Sequence, residues 1–206
     1  MIGSGPVDAA FLLTVLVIEL TPGPNMGWLA LLCALEGRRA GLVAVLGVAV
    51  GLLGLGLAML FGMARLTTEM PMLLGPLRWA GCATMLWIAW DTWPRRAASR
   101  AAQEHTARHL VRTFSHGLVL NLLNPKSALF FALVLPEFFH PGLAPLQQAL
   151  TLTLVYVAVA SAVHLAIVLM ADRVHGWLSD PARATRIRQG FALLLVGLAI
   201  WIALRG

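Results

Sequence analysis

The feature that most constrains this fold is a proline-rich break inside an apolar stretch, Thr21-Pro22-Gly23-Pro24-Asn25. The residues on either side, 9–18 and 26–35, are almost all apolar, so the break is expected at membrane depth. Proline lacks a backbone donor and clashes with the carbonyl one turn earlier, so a helix is interrupted there. In lipid, irregular backbone persists only where it is buried in protein or lines a polar cavity. The break therefore predicts a cavity within the membrane.

A second break of the same kind lies about a hundred residues further on, at Asn121-Leu-Leu-Asn124-Pro125-Lys126. Apolar residues flank it on both sides. Two interrupted spans in corresponding positions of two halves are the best sequence indication of a transporter's binding site. We therefore expect the two breaks to meet near the middle of the bilayer.

Composition agrees with a membrane protein. Among 206 residues, 59% are hydrophobic and 12% charged, and the mean hydropathy is +0.82. Six apolar segments predict six spans, at about 7–35, 41–64, 72–93, 113–139, 146–171 and 190–204.

These segments predict an all-α, polytopic fold made of one domain, 1–206. Repeat 1 covers about 7–93, a connection covers 94–112, and repeat 2 covers about 113–205. An odd number of spans per half inverts the second repeat relative to the first. The prediction is thus two inverted three-helix repeats in which helices 1 and 4 are broken at proline motifs.

The basic residues predict an orientation. The formal net charge is +6, but the charges are spread over short connections, so we expect no nucleic-acid partner. One set of alternate connections carries Arg38 and Arg39, five arginines in 94–112 and four in 172–189; the other carries Arg65, Arg78 and Arg205. By the positive-inside rule, loops 94–112 and 172–189 are cytoplasmic and both termini lie outside.

Two ionisable residues fall within the breaks or beside them, Glu19 and Lys126. A charge at the bilayer centre is costly and marks a functional site by default. One hypothesis is a mutual ion pair that holds the two breaks together. The other is that Glu19 takes up a proton as a substrate ammonium leaves, while Lys126 attracts a carboxylate or gates access to Glu19. His164, in the fifth span, is interpreted as a packing residue.

The breaks also offer partners for both charges of an amino acid. Half-helix N-termini suit a carboxylate, whereas freed carbonyls and half-helix C-termini suit an ammonium. Asparagine side chains could bind substrate or satisfy the freed backbone groups. The predicted substrate- and ion-binding residues are Glu19, Thr21, Pro22, Gly23, Pro24, Asn25, Asn121, Asn124, Pro125 and Lys126.

Four sequence elements are typical of one family when they occur together. They are Pro22-Gly-Pro-Asn25, Gly37-Arg-Arg-Ala-Gly41, Gly47-Val-Ala-Val-Gly51, and Asn124-Pro-Lys-Ser-Ala-Leu-Phe-Phe131 with Pro136. The chain resembles the lysine exporter (LysE-type) amino-acid translocator family over essentially its whole length. The resemblance implies a bacterial inner-membrane exporter of amino acids or related metabolites, driven by the proton-motive force. One departure is Thr84, where the family often has a tyrosine.

Other classes of function have less support. A passive channel or cation transporter would also use broken helices, and a thiol–disulfide conduit would need Cys33 and Cys82 to face each other. No nucleotide-binding or hydrolase motif is present, so we expect neither an enzyme nor a cofactor. His105 and His109 lie one turn apart without an evident third ligand, so no metal site is expected. Gly47 and Gly51 favour helix packing within the chain, and they leave a homo-oligomer open.

Overall fold

The computed structural model describes residues 7–93 and 106–205, and the regular structure in these ranges is helical. The helices are α1 (Ala9–Leu20), α2 (Pro24–Glu36), α3 (Arg38–Thr92), α4 (Thr106–Leu122), α5 (Pro125–Leu129), α6 (Pro145–Asp172) and α7 (Pro181–Arg205). A π-helical turn (Phe130–Val134) and a 3₁₀ turn (Leu135–Phe138) continue α5. A 3₁₀ turn (Trp177–Ser179) precedes α7.

Several helices are long and apolar enough to cross a bilayer. Three do so unaided within the described residues: Arg38–Ala58, Pro145–Asp172 and Pro181–Leu204. Two bent pairs meet the same test together, α1 with α2 at 62° and Arg108–Leu122 with Pro125–Phe138 at 45°. The expected all-α, multi-pass membrane fold is confirmed at this level.

The sequence predicted two separate spans where the structure has the single helix α3. A straight helix would place residues 45 and 88 about 65 Å apart, at 1.5 Å per residue. Instead Val45 and Ile88 belong to one hydrophobic cluster. The helical chain therefore reverses direction between residues 58 and 79, and its two arms lie side by side.

The helix ends meet in two groups. Glu36, at the end of α2, contacts His109 of α4 and Arg188 of α7. Asp91, near the end of α3, contacts Arg112 of α4. At the opposite end, Phe11 of α1 contacts Phe138 after α5. The two bent pairs, the two arms of α3, α6 and α7 therefore alternate in direction along the chain.

Two hydrophobic clusters form the core, and a polar layer lies between them. One surrounds Tyr156 and includes Phe11 and Phe130; the other surrounds Val168 and includes Trp28. Along α6, the only buried residue between the clusters is His164. Along the first bent pair, the corresponding buried residue is Glu19. Polar residues thus occupy the level that separates the two clusters.

Two segment boundaries differ from the sequence prediction. Residues 181–189 were assigned to a loop but form the start of α7, because Asp180 accepts a hydrogen bond from the Ala182 amide and Pro181 suits a first helical position. Residues 106–112 likewise belong to α4. Residues 94–105 of the predicted cytoplasmic loop, including His105, lie outside the described residues.

Close approach of α3 and α4 requires glycine. A Cβ added at Gly47 would overlap the backbone carbonyl oxygen of Phe114, and one at Gly51 would lie 2.7 Å from that of Leu118. Gly117 of α4 faces the Ala44 carbonyl in the same way. The Gly47 and Gly51 pair is thus in contact with a helix of the same chain.

Candidate functional site

The site is built where the two bent spans are interrupted. α1 ends at Leu20, and α2 begins at Pro24 after three non-helical residues. α4 ends at Leu122, and α5 begins at Pro125. Each proline is the first residue of its half-helix, where the missing backbone donor costs nothing. The local sequence therefore sets both the bend and the start of the second half-helix.

A cavity of about 140 Å³ lies between the two breaks. By comparison, an apolar cavity of about 150 Å³ binds benzene, so this one suits a ligand of few non-hydrogen atoms. Its wall combines both breaks with α3 and α6. The lining residues are Glu19, Gly23, Pro24, Asn25, Met26, Gly81, Thr84, Met85, Asn121, Asn124, Pro125, Lys126, Ser127 and His164.

Each break supplies a side chain that satisfies the other break's backbone. Asn25 Nδ2 donates to the Leu120 carbonyl at 3.2 Å, and Lys126 Nζ donates to the Thr21 carbonyl at 3.1 Å. Both carbonyls lie at the C-terminal end of a half-helix, where intrahelical donors run out. This exchange fixes the two bent spans to each other at the level of the cavity.

The Glu19 carboxylate is buried beside two groups of α6. Tyr156 Oη donates to Glu19 Oε1 at 2.5 Å, and His164 Nε2 lies 3.7 Å from Glu19 Oε2. Among the described residues, Lys126 does not form an ion pair with Glu19 and uses its ammonium on the Thr21 carbonyl. In this structure the contact of Lys126 is thus a backbone carbonyl two residues beyond Glu19, and not the Glu19 carboxylate.

Two buried polar atoms at the cavity have no hydrogen-bond partner among the described residues. They are Asn121 Nδ2 and His164 Nδ1. Asn121 is 2% exposed. A buried donor without a partner costs about 1–3 kcal/mol, so such groups call for an explanation. A ligand in the cavity would supply the missing acceptor for Asn121.

The start of α2 adds a positive end to the same cavity. Its N-cap residue is Gly23, which provides no side-chain hydrogen bond to the first-turn amides. At α5 the corresponding position is filled, because Asn124 accepts from the Lys126 amide. Uncapped amides and the helix dipole favour an anion at the start of α2.

Most residues expected at the site line this cavity. Thr21 contributes through its carbonyl, and Pro22 does not line the cavity. Sequence reasoning did not assign Met26, Gly81, Thr84, Met85, Ser127 or His164 to the site. Thr84 carried a signal, as the position that departs from the family pattern. His164 was interpreted as a packing residue rather than a proton relay because it stands alone on an apolar span.

The two cysteines lie apart from this chemistry. Cys33 Sγ donates to the Val168 carbonyl of α6 at 3.2 Å, whereas Cys82 Sγ donates to the Ala199 carbonyl of α7 at 3.6 Å. Both are free and buried. Their different partners do not form the facing pair that a thiol–disulfide conduit needs.

A multi-pass helical protein with a small polar cavity between two bent spans has the features of a membrane transport protein. Comparison with known proteins gives the family. Residues 16–206 match the family model described as LysE type translocator. The chain belongs to the LysE type translocator family, and it is a transporter and not an enzyme.

The names of similar proteins agree with this family assignment. The chain is 30% identical to the homoserine/homoserine lactone efflux protein of Salmonella typhimurium, covering 91% of each chain. It is 28% identical to the leucine efflux protein of Klebsiella pneumoniae, covering 70% of this chain and 71% of the relative. An uncharacterized membrane protein of Vibrio cholerae is 25% identical, covering 94% and 95%. No solved structure matches the chain.

Proposed function

We propose that this chain exports a small zwitterionic amino acid, or a close derivative, across the bacterial inner membrane by antiport with protons. The cavity between the breaks is its central binding site. The observation that carries this proposal is the combination, around one cavity, of the Glu19 carboxylate, the uncapped start of α2 and the unpartnered Asn121 amide. The efflux relatives, named for homoserine and leucine, support this class of substrate.

Each part of the substrate has a complementary group. Its carboxylate meets the first-turn amides of α2 and accepts from Asn121 Nδ2, which satisfies a buried donor. Its ammonium lies towards Glu19. The cavity volume limits the side chain to a small one, and Thr84 and Met85 also line this space.

Glu19 is also the proposed proton carrier. A buried carboxylate that loses its cationic ligand is stabilised by taking up a proton, because an uncompensated buried charge is costly. Tyr156 and His164 hold the carboxylate in place in both states. Binding of the ammonium and binding of the proton are therefore mutually exclusive, which is the requirement for antiport.

Six passes, arranged as two inverted repeats, fit this mechanism. The two arms of α3 count as separate passes because the chain reverses between them. The first bent pair runs from the end near Phe11 to the end near Glu36, and the second runs the opposite way. The arginine distribution supports a cytoplasmic location for the Glu36 end.

Transport in inside-out membrane vesicles tests the proposal. We expect vesicles with an acidic lumen to accumulate labelled homoserine or leucine, and Glu19→Gln to reduce that accumulation by tenfold or more. Glu137→Gln, the same chemical change at an exposed site, is the matched control. Dissipation of a substrate gradient without accumulation would indicate a passive channel. Full pH-driven accumulation by Glu19→Gln would exclude Glu19 as the proton carrier.

A further inference from the structure

A second cavity, which we call the vestibule, opens at the Glu36 end of the bundle. Its volume is about 480 Å³, and it is lined by parts of α2, α3, α4 and α7. This volume falls in the range of about 300–1,000 Å³ that is typical of small-molecule sites. The function proposed above does not use it.

Along α2, α3 and α4, the residues that line the vestibule lie next to those that line the central cavity. On α2 the central cavity ends at Met26 and the vestibule begins at Trp28; on α4 the corresponding residues are Asn121 and His116. At 1.5 Å per residue, these steps amount to about 3 Å and about 7.5 Å. The ring of His116 lies edge-on to the Trp28 ring at 6.4 Å between centroids. These two rings thus lie at the part of the vestibule that is nearest to the central cavity.

Paired charges line the vestibule. Glu36 lies 2.9 Å from His109 Nε2 and 3.9 Å from Arg188, and Asp91 lies 2.5 Å from Arg112 and 3.5 Å from His116 Nδ1. The Glu36 and Asp91 side chains are 28% and 23% exposed. Partly exposed ion pairs stabilise a protein by only about 0–1 kcal/mol. Exchanging a protein partner for a ligand partner therefore costs little.

Resting on the proposed function, we propose that the vestibule is a second binding site, which takes up the zwitterionic amino acid before it reaches the central cavity. The ligand carboxylate replaces a protein carboxylate at Arg188 or Arg112. The ligand ammonium then pairs with the Glu36 or Asp91 carboxylate that has been released. Because both charges are replaced in kind, the exchange leaves no unpaired ion.

Protection of an introduced thiol tests this site directly. Thr185 lines the vestibule on α7, and a Thr185→Cys thiol can be followed by its rate of labelling with a membrane-impermeant maleimide on purified protein. The parent protein, whose two cysteines are buried, gives the background. We expect saturating homoserine or leucine to slow the labelling several-fold. Arg186→Cys, exposed on the same helix, should show no protection.

Second substitutions in the Thr185→Cys protein locate the protecting ligand. We expect Arg188→Gln to raise the concentration for half-maximal protection by about tenfold or more, since it removes a charge-assisted contact. Arg188→Lys should restore most of the affinity, and Arg186→Gln should have no effect. Glu19→Gln should leave protection intact, because the vestibule does not include that carboxylate.

Two outcomes would overturn the vestibule site. One is unchanged protection in both Arg188→Gln and Arg112→Gln. The other is protection that disappears with Glu19→Gln, since it would then arise from the central cavity. Failure of the proposed function is a separate result, because the wild-type chain would then accumulate no amino acid in vesicles.

Discussion

At the scale of single residues, the central cavity depends on which polar atoms are satisfied and which are left over. Asn25 and Lys126 each bond a carbonyl of the opposite break, so both are committed to holding the structure. Asn121 keeps a donor without a described partner. All three were predicted from the sequence as binding residues, yet only Asn121 keeps a donor for a ligand, because the neighbours of the three side chains differ.

Tyr156→Phe tests the hydrogen bond that holds Glu19. The ring would stay packed on Phe130, whose centroid lies 4.2 Å away, so the change removes the hydroxyl alone. Hydrogen bonds to charged groups contribute about 1.5–3 kcal/mol. At about 2–4 °C per kcal/mol for a chain of this size, we expect Tm in detergent to fall by about 3–12 °C.

The matched control for that experiment is Thr151→Val. Its hydroxyl bonds the Gln147 carbonyl on an exposed face of the same helix, α6. We expect Tm to change little there. An unchanged Tm in Tyr156→Phe would show that the hydroxyl does not stabilise the buried carboxylate.

At the scale of helices, the two breaks need close neighbours that hold them in register. The contact between α3 and α4 provides this, because glycines on both helices let the backbones approach. Small residues at helix interfaces serve the same purpose in membrane proteins generally. The second break, which follows α4, is therefore positioned by a glycine-lined contact outside the cavity.

Gly47→Ala tests this contact. Alanine favours a helix more than glycine does, by about 1 kcal/mol, so an open position would be stabilised. At Gly47 the added Cβ overlaps the Phe114 carbonyl, and overpacking of this kind costs about 1–3 kcal/mol. We expect a lower Tm and lower yield of monodisperse protein.

Gly54→Ala is the control on the same helix, because its Cβ would lie 3.6 Å from Leu122, an ordinary van der Waals distance. We expect its Tm to be equal to that of the wild type or higher. Equal effects of the two substitutions would contradict the role given to Gly47.

At the scale of the whole molecule, the number of passes decides where the termini lie. Six passes put both termini on one side of the membrane, whereas five put them on opposite sides. By the positive-inside rule, the arginine-rich connections are expected on the cytoplasmic side. The proposed location of the termini therefore rests on two features, the reversal within α3 and the distribution of the arginines.

Reporter fusions test the topology. We expect alkaline phosphatase fused after Gly206 to be active, because the proposed topology has the C-terminus outside the cytoplasm, and green fluorescent protein at the same place to be dark. Phosphatase fused after Arg100, in the predicted cytoplasmic connection, should be inactive. A fluorescent fusion after Gly206 would contradict six passes with external termini.

The sequence by itself determined the membrane class, the two breaks and most of the residues around the cavity. Prolines and charged side chains within apolar runs have strong local effects, which can be read without knowing the fold. The same local rules placed the starts of α4 and α7 too late, because charged residues can extend a helix beyond the apolar part of a span.

Only the tertiary structure decided how the polar groups pair. Glu19 lies beside Tyr156 and His164 of α6, and Lys126 bonds the Thr21 carbonyl. Such contacts join residues that are more than a hundred positions apart in the chain. No local pattern specifies them, because hydrogen bonds depend on distances of about 3 Å that only the packed helices set.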